Sequence, residues 1–194
     1  RPTAEEVATF EREQRWVSRF AALDTSFKTP PRTIELEGNY SFDTLAPSGN
    51  LLYLIEHRPP VRPTEEYAVR VYDVAAGALR PGAVVDKASA RQVMEGTPGE
   101  QVVSRNGEWV YTVYRNAEYG PFVHALNVIN QFAMCIDLPQ AGKEDSAASG
   151  HWGLVLSADG ATIYAANGAL GHVVEISASD QSIRRTAAFT PHAD

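Results

Sequence analysis

Hydrophobic residues in this chain come in short runs of four to eight, separated by clusters of Ser, Asp, Asn and Gly, and one such cluster recurs three times. The recurring strings are Ala46-Pro-Ser-Gly-Asn-Leu-Leu-Tyr53, Ser104-Arg-Asn-Gly-Glu-Trp-Val-Tyr111 and Ser157-Ala-Asp-Gly-Ala-Thr-Ile-Tyr164. Gly between two apolar runs is hairpin chemistry, because it takes a positive φ without steric cost while a neighbouring Ser, Asp or Asn accepts backbone N–H groups. A short run precedes each turn, at residues 41–45, 101–103 and 153–156. A second run rich in β-branched and aromatic residues follows at 51–55, 109–114 and 162–166, as suits strands packed on both faces.

A third strand is expected in every unit, at Tyr67-Ala-Val-Arg-Val-Tyr-Asp73, Phe132-Ala-Met-Cys-Ile-Asp137 and His172-Val-Val-Glu-Ile-Ser177. Arg19-Phe-Ala-Ala-Leu-Asp24 has the same shape upstream, and Arg32-Thr-Ile-Glu-Leu36 is its expected outer strand. The Asp that ends several of these runs suits a strand exit, where a carboxylate accepts the N–H groups of the next turn. Residues 139–150 are polar and offer no outer strand, so the unit at 99–150 is expected to have three strands.

The turn glycines Gly49, Gly107 and Gly160 lie 58 and 53 residues apart, close to the roughly 40–50 residues of a four-stranded propeller blade. The fold expected is therefore all-β, a partial β-propeller of about three and a half blades. A half blade covers 16–38, full blades cover 39–98, 99–150 and 151–190, and residues 1–15 form an extension or short helix. Known propellers have about 4–8 blades. The count thus predicts either a piece of a longer protein or two copies sharing a seven-bladed ring.

With 44% hydrophobic residues, 14 Gly and 12 Pro, the chain suits a packed, turn-rich domain. A formal charge of −7 with no basic run argues against a nucleic-acid backbone as partner. No apolar stretch is long enough to be a transmembrane segment. Cys135, the sole cysteine, lies mid-run between Met134 and Ile136 and is expected to be a buried thiol.

The strings at 42–49, 52–56, 67–73, 109–114 and 121–126, followed by Cys135-Ile-Asp-Leu-Pro139, resemble a group of bacterial extracytoplasmic β-propellers with WD-like or YVTN-like repeats. The resemblance implies a propeller in an extracytoplasmic or membrane-anchored setting, and it supplies no catalytic residues. Two departures are the Ala46-Pro-Ser-Gly turn and Asn127-Val-Ile-Asn-Gln131, where an Asp-rich turn is commoner.

No segment carries a reaction signature. The histidines lack metal-ligand spacing, so no metal is expected, and nothing calls for a cofactor. His57, His124 and His172 are expected near one face of the disc, with His151 joining them. Adjacent acidic pairs such as Glu65-Glu66 diverge on a strand and read as solvated faces. For ligand or partner binding at an axial pocket the best-placed residues are Arg91, Glu95, His124, His151 and Trp152. The favoured function is a non-catalytic interaction scaffold showing the loops at 57–66 and 87–98 to a protein partner, either by itself or as a subunit of an extracytoplasmic or membrane-associated assembly. The alternative is a propeller enzyme or small-ligand binder of lyase, lactonase or quinoprotein-like type, using the axial face.

Overall fold

The computed structural model describes residues 3, 5, 17–58, 66–85, 94–116, 119–139 and 148–190. The Arg91 position, most of the extension or short helix expected at 1–15 and most of the loops at 57–66 and 87–98 lie outside them. Among the described residues the chain is built from antiparallel sheets, and no helix is long and apolar enough to cross a membrane.

Sheet I pairs β1 (Val17–Ala22) with β2 (Arg32–Glu37). Sheet II runs β3 (Tyr40–Leu45), β4 (Leu51–Arg58), β5 (Glu66–Asp73), β6 (Ala78–Leu79), with β7 (Met94–Glu95) also paired to β5. Sheet III runs β8 (Thr97–Val103), β9 (Trp109–Arg115), β10 (Phe122–Asn127), β11 (Phe132–Asp137). Sheet IV runs β12 (Gly153–Leu156), β13 (Thr162–Asn167), β14 (His172–Ser177), β15 (Ile183–Ala188). The chain is a partial β-propeller.

Stacking follows from the period of two along each strand. In β4, Leu52 and Leu54 face Ile34 of sheet I, while Tyr53 and Ile55 face Val110, Phe122 and Leu126 of sheet III. In β9, Val110 and Tyr114 point back to sheet II, and Tyr111 and Val113 point on to Leu154, Ile163 and Val174 of sheet IV. Tyr53 and Tyr111 are both fully buried. Their counterpart Tyr164 is half-exposed, because it points to the face of sheet IV that no described sheet covers.

The recurring turn has one geometry. Gly49, Gly107 and Gly160 have φ of 71, 71 and 77°, and each donates its N–H to the carbonyl three residues back, Ala46, Ser104 and Ser157. Ser104 and Ser157 add a hydroxyl that accepts the N–H of Trp109 and Thr162, a bond that Ala46 cannot make. These turns lie on what we term the lower face, and the starts of β8 and β12 lie on the upper face.

The sequence misplaces one strand. Phe132–Asp137 is the outermost strand of sheet III, and the third is Phe122–Asn127, so this sheet has four strands. Asn127 explains the miss. Its Oδ1 accepts the N–H groups of Ile129 and Asn130, the role that Asp73 Oδ1 plays for Ala75 and Ala76, so an amide ends this third strand where a carboxylate was expected. Cys135 is likewise exposed on the peripheral strand and is no core thiol.

Candidate functional site

Neighbouring first strands are laced together by side chains. Gln101 on β8 donates Nε2 to Asp43 Oδ1 on β3 at 3.0 Å, and Glu100 Oε2 on β8 accepts the N–H of Leu154 on β12 at 2.9 Å. Asp43 sits at a register shift between Phe42 and Thr44, a bulge that turns its carboxylate toward sheet III. Burial raises its pKa to about 6, against the lowering effect of the Gln101 hydrogen bond.

On the upper face, between sheets III and IV, a cavity of about 120 Å³ is lined by Thr97, Pro98, Gly99, Val113, Tyr114, Arg115, Gly150 and Trp152. Several local choices shape it. Arg115 closes β9 and its guanidinium lies over Gly150, where a Cβ would stand 2.5 Å from Nη1. Gly99 lets β8 approach Val113, whose Cγ1 a Cβ there would meet at 3.1 Å. Trp152 precedes β12, is 5% exposed, and packs with Leu154 and Ile163. Its ring is 6.5 Å from that of His172. Trp152 Nε1 and His172 Nδ1 are buried atoms with no hydrogen-bond partner among the described residues.

Of the sequence-predicted site residues that are described, Trp152 alone lines this cavity. His151 is exposed beside it, its N–H donated to Ala148 O. Glu95 lies on β7, paired with Glu66, and its carbonyl accepts Asn116 Nδ2. His124 is inside the stack. It is 2% exposed on β10, opposite Thr112 and Cys135, with its ring edge against Tyr114. Because 122–127 is itself a strand, His124 cannot lie on a loop over the upper face. His57, at the end of β4, pairs its Nε2 with Ser41 Oγ at 2.8 Å.

Sequence reasoning missed Arg115. The signal was present, since counting on from the repeat tyrosines puts Arg115 four residues after Tyr111, as His57 is four after Tyr53. The upper end of the second strand is one place in the repeat.

No protein-family model and no curated protein matches the chain. Solved structures do. Dihydro-heme d1 dehydrogenase NirN, determined with DHE bound, is similar over 89% of this chain and 33% of its own, with a TM-score of 0.50 and 11% identity. Hydrazine synthase from Kuenenia stuttgartiensis is similar over 82% and 46%, at a TM-score of 0.47 and 15% identity. A periplasmic gluconolactonase of Pseudomonas aeruginosa is similar over 92% and 51%, at 0.44 and 17%. The chain therefore spans from a third to about half the length of these structures. At 11% identity the likeness to NirN shows the propeller fold alone.

Proposed function

We propose that the upper-face cavity between sheets III and IV binds the acceptor-rich head group of a small molecule, and that the protein works as a small-ligand binder through its axial face. The observation that carries this reading is the convergence on one cavity of the Arg115 guanidinium and Trp152, whose buried indole N–H is unspent. A guanidinium offers a planar fork of donors that matches a carboxylate. The apolar wall of Pro98, Val113 and Tyr114 would keep water from competing. Among the described residues that line the cavity, Arg115 and Trp152 supply the donors for recognition. The extracytoplasmic setting that the sequence resemblance implies belongs to the same proposal.

The experiment is thermal unfolding of the chain against acetate, succinate and benzoate. Saturable stabilisation is expected from at least one, because a ligand held only by the folded state raises its stability, and Arg115→Ala should abolish it. No stabilisation by any of the three, or a response that survives in Arg115→Ala, would overturn the reading.

A second reading, a scaffold that meets a protein partner or another copy of the chain, is favoured by exposed apolar residues at the two outer sheets of the described stack. Phe42 and Leu45 are 62% and 48% exposed beside a hollow of about 720 Å³ next to sheet I, and Val155 on sheet IV is 58% exposed. Contiguous exposed apolar surface of this kind marks interaction sites. Light scattering after size exclusion tests self-association. A species of two or more copies supports it and a strict monomer removes it.

A further inference from the structure

The two full inter-sheet interfaces place equivalent residues of one repeat at the lower face, yet they are finished differently. Between sheets II and III, Tyr53 Oη donates to Val128 O at 2.8 Å, and Pro47 lies over Gly107, where a Cβ would stand 2.7 Å from its Cγ. Between sheets III and IV the positions of Pro47, Leu51, Val128 and Ile129 are held by Arg105, Trp109, Ala178 and Ser179. The register that makes them equivalent is printed in the backbone. Val128 N donates to Glu108 O, and Ala178 N donates to Ala161 O.

These replacements are smaller or more polar on the far wall, and they leave a cleft of about 430 Å³ lined among others by Arg105, Glu108, Trp109, Tyr111, Asp159 and Ser179. The carbonyl that Tyr111 should reach, Ala178 O, is taken by Gln181 Nε2 at 2.8 Å. Tyr111 Oη is buried, and its proton finds no acceptor among the described residues. Burial raises the phenol's pKa and the Gln181 amide lowers it, which is the effect of a donor. The phenol's own proton still lacks an acceptor. Leaving such a donor unpaired is costly, so an equivalent repeat one sheet away that avoids the cost makes the difference informative.

We propose that this lower-face cleft is a binding site for a neutral polyhydroxylated molecule of hexose or cyclitol size. A hydroxyl both accepts and donates, so one ring can accept from Tyr111 and Arg105 and donate to the carboxylates of Glu108 and Asp159. The carboxylates are held in place for this. Glu108 accepts Asn127 Nδ2 and Asn106 Nδ2 through its two oxygens, and Asp159 Oδ1 accepts Ser157 Oγ and the Ala161 N–H. One cation against two anions disfavours an anionic ligand. Trp109, stacked on Tyr111 at 6.1 Å and 11°, adds apolar lining to the cleft.

The test is a two-dimensional NMR titration of the chain with glucose, galactose, mannose and myo-inositol, following the Trp109 indole N–H, assigned by its loss in Trp109→Phe. A saturable shift with at least one probe is expected. Tyr111→Phe should weaken that binding about five- to tenfold, the worth of one neutral hydrogen bond. The double variant Ala178→Val, Ser179→Ile, which installs the first interface's residues, should abolish it. No saturable shift with any probe, or equal affinity in Tyr111→Phe, would overturn the proposal.

Discussion

Gln101 holds Asp43 across two sheets: its Nε2 donates to Asp43 Oδ1 at 3.0 Å and to Thr112 Oγ1, on its own sheet, at 3.1 Å. A half-buried carboxylate with a single amide donor is poorly compensated for leaving water, which is why its pKa rises to about 6. The folded-state value lies above the unfolded one, so the neutral form adds stability fully below about pH 3.8, and that stability is lost as pH rises through about 6.

Asp43→Asn should therefore raise the stability of the chain at pH 8 by about 1–3 kcal/mol and have little effect at pH 4. Urea unfolding at the two pH values measures this. A gain that is equal at both, or a loss at pH 8, would show that the carboxylate is not the strained group. The turn carboxylates have the opposite sign. The Asp73 pKa is lowered, first by the Ala76 N–H and then by Arg80, and that of Asp159 first by Ser157. Their contribution falls away in acid.

The two repeat tyrosines should respond differently to loss of the hydroxyl alone. Tyr53→Phe removes a buried bond to Val128 O and is expected to cost about 1–2 kcal/mol. Tyr111→Phe removes an unpaired donor and should be neutral or stabilising in the absence of ligand. Chemical unfolding of both variants settles the contrast, and an equal cost at both positions would contradict it.

Gly150→Ala probes the upper-face cavity without touching the core. The added Cβ would stand 2.5 Å from Arg115 Nη1 and 3.0 Å from Cδ, so the flexible guanidinium must move. Stability should change by under about 1 kcal/mol, since the group that gives way is a mobile side chain. Any carboxylate-induced stabilisation should fall severalfold in the same variant. Full retention of that response would show that the guanidinium does not need its observed position.

Much of the architecture was legible in the sequence because the Gly turn is demanding. A positive φ at Gly49, Gly107 and Gly160 fixes two strands around each, and the Asp24 and Asp73 exits fix two more. The third strand of sheet III was hidden because an amide does at Asn127 what a carboxylate does at Asp73. With that strand skipped, Phe132–Asp137 was assigned one place too far inward, which also buried Cys135 and freed His124 on paper. The candidate sites were less legible. A cavity forms where strands from different repeats meet, and Arg115, Gly150 and Trp152 are brought together by stacking rather than by spacing. The lower-face cleft rests on what Ala178 and Ser179 lack compared with Val128 and Ile129, a difference that has meaning only once the register is known.

The most direct test of the stacked-sheet account is the unfolding free energy of three variants of this chain, Tyr53→Ala, Tyr111→Ala and Tyr164→Ala. The first two side chains are 0% exposed between sheets, and each truncation should cost about 3–5 kcal/mol. Tyr164, on the face of sheet IV that no described sheet covers, should cost under about 1 kcal/mol. Losses below about 0.5 kcal/mol at Tyr53 and Tyr111, or a loss at Tyr164 as large as theirs, would contradict the radial stacking on which both proposed sites depend.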